Sequence, residues 1–154
     1  MTKEFRYIAS GLDNIVLVGL KECIDEDGDP CIEIPHITEL HRVIARGIVT
    51  RDHGMSGKEL KFLRTEMGMT QAEVAKVVNR EPLTIGRWER GEIEIDPNAE
   101  ALLRLVAIER LGLKLEVPVE QLSSWCVQSA DANPIMIDAT DPTNYRPIPP
   151  KKAA

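Results

Sequence analysis

The sequence is poor in aromatic residues and cysteine and has no long apolar run. Aromatic side chains are 4% of the 154 residues, so any core must be mainly aliphatic. The three cysteines are sparse and odd in number, which is typical of a reducing compartment rather than a disulfide framework. No apolar run is long enough to span a membrane, and the N-terminus lacks the apolar core of a signal peptide. These absences predict a soluble, cytoplasmic protein.

Motifs of catalysis are also absent. The sequence contains no P-loop, no glycine-rich dinucleotide loop after a strand, no HExxH and no GxSxG. We therefore predict that the protein is not an enzyme and has no cofactor.

A zinc site is the one metal alternative to be considered. Cys23, Cys31, His36 and His41 follow the spacing C-x7-C-x4-H-x4-H, which lacks the close pairing of structural zinc sites. Histidines five residues apart also do not share one face of a helix. We predict no metal site, and interpret the two cysteines as small apolar residues of a hairpin.

Charge is unevenly distributed along the chain. The net charge is −6, yet the segment 56–91 contains seven Lys/Arg and five Asp/Glu and so carries +2. The remainder therefore carries −8. Since the distribution of charge matters more than its total, a basic segment within an acidic chain is compatible with a nucleic-acid partner.

Three short helices are predicted within this basic segment. Capping boxes, S-x-x-E at Ser56 and T-x-x-E at Thr70, mark the first two helix starts. Pro82 suits the first turn of the third helix, because its missing N–H would have no partner there. Apolar residues recur at helical spacing and predict the inner faces: Leu60, Leu63, Met67, Val74, Ala75, Val78, Ile85 and Trp88.

The turn between the second and third helices is short, so these helices should cross steeply and leave the third able to enter a DNA major groove. The run TQAEVAKVVNREPLTIGRWERG resembles the helix-turn-helix of the XRE class, the lambda-type repressors. The resemblance extends from Ser56 to about Leu111 and implies a DNA-binding domain.

The resemblance also implies roles for residues outside the third helix. Arg64 and Glu89 match a pair that bridges the first and third helices as scaffold. Gln71 matches a glutamine that contacts the DNA backbone at a helix N-terminus, where phosphate is favoured. Lys76 and Arg80 are expected to add positive charge nearby.

On the third helix, an inward-facing Ile85 and Trp88 leave Leu83, Thr84 and Arg87 on the opposite side. In lambda-type repressors the matching positions reach base edges. Arginine offers two parallel donors to the major-groove acceptors of guanine, whereas Leu83 and the Thr84 methyl suit a thymine methyl. The alternative is that Arg87 holds only a phosphate.

The N-terminal residues predict a small β-β-α unit over 1–50. Short strands are expected at 5–8 and 15–20, a hairpin turn at 25–30, a returning strand at 31–34, and a helix that begins at Ile37 and ends near Gly47. The runs YIASGLDNIVLVG, IPHITELH and GKELKFLR resemble the region leading into the helix-turn-helix of MqsA-type antitoxins. Those proteins commonly carry a zinc module with paired CxxC motifs, and no CxxC exists here.

Beyond the basic segment, Asp96 and Pro97 predict the start of a fourth helix that Gly112 ends. This helix has more apolar positions than one buried face needs, which indicates either full burial or a homodimer interface. In the C-terminal extension, 113–154, we expect a strand at 115–119, a short helix at 121–128 and a pairing segment at 134–137. A disordered tail is expected from 141 onward.

The sequence thus predicts a mainly α fold: a lambda-repressor-like helix-turn-helix domain at 56–112 with a small α+β N-terminal unit. The expected function is a sequence-specific DNA-binding transcriptional regulator, acting as a repressor on double-stranded operator DNA. Three hypotheses stay open: an antitoxin that binds a toxin protein and autoregulates its operon, a plain transcription factor, and a protein-interaction module that no longer binds DNA.

Overall fold

The computed structural model describes residues 4–126 and 134–148, and the predicted mainly α fold is confirmed. The described residues form two compact units. One, the sheet unit, combines residues up to Ile44 with those from 134 onward. The other, the helical unit, runs from Ala45 to Cys126. None of the helices described is both long enough and apolar enough to cross a membrane.

The sheet unit contains a four-stranded sheet in the order β1-β2-β5-β6. Its strands are β1 (Glu4–Arg6), β2 (Ile15–Val18), β5 (Ile135–Asp138) and β6 (Arg146–Ile148). Strand β2 pairs antiparallel with β1 and parallel with β5, and β6 returns antiparallel to β5. Leu17 stands opposite both Phe5 and Ile137, and both Leu17 and Ile137 are fully buried. A short 3-10 helix, Ile8–Ser10, follows β1.

The use of C-terminal residues in this sheet corrects the expected organisation. We expected a β-β-α unit ending at residue 50 and a disordered tail from 141, yet β5 and β6 complete the N-terminal sheet. The physical reason is that β2 is buried, so the backbone N–H and C=O groups at both of its edges need partners, and β5 supplies those that β1 does not. Hydrogen bonds from Thr140 to Asp138 and from Thr143 to Asp141 stabilise the turn that brings β6 back. Residues 149–154 of the expected tail lie outside the described residues.

A separate two-stranded hairpin joins β3 (Glu22–Ile24) to β4 (Pro30–Ile32). The acidic turn and the returning strand lie where they were predicted, and the returning strand pairs with β3. Cys23 and Cys31 are direct cross-strand partners, with their Cα atoms 5.2 Å apart, and form a disulfide. The expectation that the cysteines are unpaired was therefore wrong. An odd cysteine count does not exclude a single pair, and the hairpin register gives these two the separation that a disulfide requires.

Six α-helices lie in the described part of the chain. They are α1 (Ile37–Val49), α2 (Gly57–Glu66), α3 (Gln71–Val78), α4 (Pro82–Glu89), α5 (Pro97–Arg110) and α6 (Val119–Trp125). The boundary between the units falls within α1, after Ile44. Both predicted capping boxes are present, and Asp96 caps α5 through the backbone N–H of Ala99.

The strand expected at 115–119 is not formed, because Val119 already begins α6. This helix buries Leu122, and Trp125 is half-buried. Residues 127 and 128 of the predicted helix lie outside the described residues. Alternation of apolar residues over five positions was too short a signal to distinguish a strand from a helix start.

The segment between α1 and α2 is held by a buried arginine. The guanidinium of Arg104 on α5, fully buried, donates to Glu100 and to the carbonyl oxygens of Val49, Arg51 and His53. Glu100 in turn accepts the backbone N–H of Met55 at 2.9 Å. Residues 50–55, between the expected N-terminal unit and the expected helix-turn-helix domain, are therefore fixed to the helical unit.

Candidate nucleic-acid interface

The core of the helical unit sets the positions of α3 and α4. Ala75 is buried on α3, which packs against α4, and Asn79 ends α3 in the left-handed conformation with φ of 56°. Pro82 then occupies the first turn of α4, as predicted. The N-terminus of α2 approaches the end of α4 so closely that a Cβ on Gly57 would overlap the carbonyl oxygen of Trp88. Only glycine permits this contact.

Helix α4 has one buried and one exposed face. Ile85 and Trp88 are buried, as predicted, with exposed fractions of 0% and 3%. On the other side, the Leu83 side chain is 62% exposed and Arg87 is also exposed. Thr84 is half-buried, so it presents less of its surface than its two neighbours. In a major groove, a side chain such as Leu83 can contact a thymine methyl and one such as Arg87 can donate to guanine.

The predicted bridge between α2 and α4 is present and extends to α3. Arg64 contacts both carboxylate oxygens of Glu89, and it also donates to the carbonyl oxygen of Met69 at 3.1 Å. Glu89 accepts a hydrogen bond from the side-chain amide of Gln71 at 2.8 Å. The bridge therefore orients Gln71 as well as joining helices. The sequence suggested only the joining role.

The structure brings Lys76 and Arg80 to one open groove, which is also lined by Glu73 and Pro82. The Arg80 guanidinium lies 3.6 Å from the carboxylate of Asp96, the cap of α5. Gln71 is not among the residues that line this groove. The six predicted contacts therefore form three groups: Gln71 at the start of α3, Lys76 and Arg80 in the groove, and Leu83, Thr84 and Arg87 on α4.

Sequence reasoning missed two charged residues at the end of α4. Arg90 is exposed, and its guanidinium contacts the Glu92 carboxylate with nitrogen–oxygen distances of 2.9 and 3.4 Å. The sequence feature that could have pointed to Arg90 is its spacing from Arg87. The two arginines are three residues apart, so they lie on neighbouring positions of a helix surface.

Cys126 is a free cysteine that is buried in the helical unit. Burial, with a smaller contribution from the nearby Glu100, raises the pKa of the Cys126 thiol to about 12. The thiol is therefore protonated at neutral pH and a poor nucleophile. Within 4–126 and 134–148, no three His, Cys, Asp or Glu side chains converge as metal ligands would.

Comparison with known proteins supports the geometry of the helical unit. A family model described as helix-turn-helix matches residues 60–108, which is less than half of the chain. No curated protein and no solved structure matches the chain. The matched segment covers most of α2, all of α3 and α4, and most of α5. Proteins with this element are typically DNA-binding transcriptional regulators rather than enzymes. Residues 60–108 are therefore similar to a helix-turn-helix family, and the mainly α fold around them is consistent with a lambda-repressor-like domain.

Proposed function

We propose that the helical unit binds double-stranded DNA by placing α4 in the major groove, and that the protein acts as a sequence-specific transcriptional repressor. The observation that carries this proposal is the division of α4 into two faces. Ile85 and Trp88 anchor it in the core, while Leu83 and Arg87 stay exposed on its outer side. A rigid helix with an exposed cation and an exposed apolar residue has what direct readout of bases requires.

The backbone of the DNA would be held by residues of α3 and of the turn before α4. Gln71, at the N-terminus of α3 and hydrogen-bonded to Glu89, would contact one phosphate. Lys76 and Arg80 supply positive charge in the adjoining groove. Such contacts set the position of the protein on DNA without reading its sequence.

The decisive experiment compares Arg87→Ala with wild type on two DNAs at one salt concentration. One DNA is a site selected from genomic fragments by the wild-type protein, and the other is a random duplex. We expect a loss of about 1–3 kcal/mol on the selected site and little on random DNA, because only the base contact is sequence-specific. Arg110→Ala on α5 makes the same change of charge away from α4 and serves as the control. Equal losses of affinity on both DNAs would show that Arg87 contacts a phosphate and not a base.

A second measurement separates anchoring from readout. Lys76→Ala should weaken binding similarly for all sequences and reduce the slope of log affinity against log salt by about one unit. An unchanged slope would remove Lys76 from the interface.

We further propose that the protein binds as a homodimer. Helix α5 exposes 39% of Leu102 and leaves Leu105, Val106 and Ile108 half-buried, a strip that a second copy could cover. Two-fold symmetry would match half-sites about one helical turn apart, or a multiple of that. Sedimentation that shows only monomer, with and without DNA, would contradict this.

An antitoxin role is the second candidate, favoured by the surface of the sheet unit. The β3–β4 hairpin exposes Ile24 at 76% and Ile32 at 41%, beside an acidic turn. Exposed apolar residues framed by carboxylates suit a basic protein partner. Coexpression with a small basic protein encoded beside this gene is the test. Copurification that Ile24→Asp abolishes would support the role, and failure to copurify with wild type would oppose it.

A further inference from the structure

Arg90 and Glu92 form an exposed ion pair at the edge of the proposed DNA interface. The guanidinium follows the last turn of α4 and contacts Glu92 through two of its nitrogens. The hydrogen bond with Glu92 raises the pKa of Arg90, and the same bond lowers the pKa of Glu92. Both groups are therefore charged at neutral pH, and each neutralises the charge of the other.

The Arg90 guanidinium also lies close to the proposed phosphate contact of α3. A Cβ placed on Gly86 would be 3.1 Å from a terminal nitrogen of Arg90 and 3.6 Å from the side-chain oxygen of Gln71. The two side chains thus share the space above Gly86, which a larger residue would fill. This places a cation beside the N-terminus of α3, where a phosphate is also favoured by the backbone donors of the first turn.

Glu92 also interacts with a second arginine, Arg87. Its backbone N–H donates to the carbonyl oxygen of Arg87 at 3.0 Å, which fixes the turn after α4. The charge of Arg87 makes a smaller contribution, after that of Arg90, to lowering the pKa of Glu92. The carboxylate is therefore within electrostatic reach of both arginines at this end of the helix.

We propose that Arg90 is a further phosphate-binding residue and that Glu92 competes with the DNA phosphate for it. The inference rests on the proposed function, since it assumes that α3 and α4 face DNA. When DNA binds, Arg90 exchanges the Glu92 carboxylate for a phosphate, and Glu92 is left as a negative charge near the backbone. Glu92 thus limits the affinity of the interface for every sequence, and the specificity stays with the residues of α4.

The test is Glu92→Gln, compared with Glu94→Gln, which makes the same charge change two residues further on. Affinities are measured on the selected site and on a random duplex over a series of salt concentrations. We expect Glu92→Gln to tighten binding to both DNAs about two- to fivefold, as expected for release of an exposed pair. Glu94→Gln should change affinity by less than about twofold, because long-range surface charge is screened. Equal effects of the two variants would overturn the inference.

A double-mutant cycle separates competition for Arg90 from general repulsion. Arg90→Ala should weaken binding to both DNAs, and Glu92→Gln should give little further gain in the Arg90→Ala background. A full gain in that background would overturn the role of Arg90. Both side chains are exposed, so the variants should keep the wild-type thermal transition. If wild type and Glu92→Gln both fail to bind any duplex at low salt, the proposed function itself fails, and the inference fails with it.

Discussion

The helical unit and the sheet unit are specified by different kinds of sequence information. In the helical unit, the starts of α2 and α3 follow from pairs of residues three positions apart, Ser56 with Glu59 and Thr70 with Glu73. In the sheet unit, β2 lies between β1, its neighbour in sequence, and β5, which comes from the other end of the chain.

This difference shows where local patterns are sufficient. A capping box or a helical apolar face is complete within one or two turns, so the sequence contains the whole signal. A parallel strand pair requires two distant segments to meet, and the sequence of one segment does not indicate which other segment it will pair with. One residue of the helical unit breaks this rule, since Arg104 joins α5 to the segment before α2.

Replacing Arg104 should have the largest effect on stability. Arg104→Met removes the donor for three carbonyl groups and leaves Glu100 buried without its cation. We expect a loss of about 3–5 kcal/mol of unfolding free energy, as found when one partner of a buried pair is removed. Urea denaturation measures it, with Arg110→Met at the exposed end of α5 as control. A loss below about 1 kcal/mol would show that the segment before α2 is held by other contacts.

Ile137→Ala tests the distant strand pairing of the sheet unit. The side chain is fully buried on β5 and stands opposite Leu17, so its truncation should cost about 2–5 kcal/mol. Ile148→Ala, on the exposed edge strand β6, is the matched control. Hydrogen exchange should accelerate at the amides of β2 more than at those of α3. Equal acceleration in both units would mean that they unfold together.

Ser56→Ala tests a local sequence signal of the helical unit, the capping box at the start of α2. The hydroxyl accepts the backbone N–H of Glu59, and the loss of such a cap typically costs about 0.5–2 kcal/mol. Ser123→Ala, exposed on α6, changes the same atom without a helix start and should be nearly neutral. If thermal unfolding of Ser56→Ala matches that of Ser123→Ala, the capping box contributes nothing to the helical unit.

The smallest effect concerns pH and the turn before β6. Hydrogen bonds from the Thr143 side chain and backbone lower the pKa of Asp141 in the folded state. The carboxylate therefore stabilises the fold at pH values above its ordinary pKa, and this contribution is lost as the pH falls through the lowered pKa. Asp141→Asn should flatten the decline of stability with acid, because it removes the titrating carboxylate. Denaturation curves between neutral pH and about pH 2 measure the difference.

The buried and exposed faces of α4 were predicted correctly from the sequence. Burial of Ile85 and Trp88 followed from helical periodicity, and it determines that Leu83 and Arg87 face outward. The contact of Arg90 with Glu92 and the hydrogen bond of Gln71 with Glu89 could not be predicted in this way. Both depend on where side chains meet after the helices have packed.

The sequence by itself determined the helix-turn-helix, because capping residues, turn residues and apolar spacing all act within a few positions of the chain. Only the tertiary structure decided that β5 and β6 complete the N-terminal sheet, that Cys23 faces Cys31, and that Arg104 is buried. Strand pairing and the burial of a charge depend on which distant groups are brought into contact. A buried arginine is tolerated because backbone carbonyls and Glu100 replace the hydrogen bonds that it loses to water. No local sequence pattern indicates that these groups will meet.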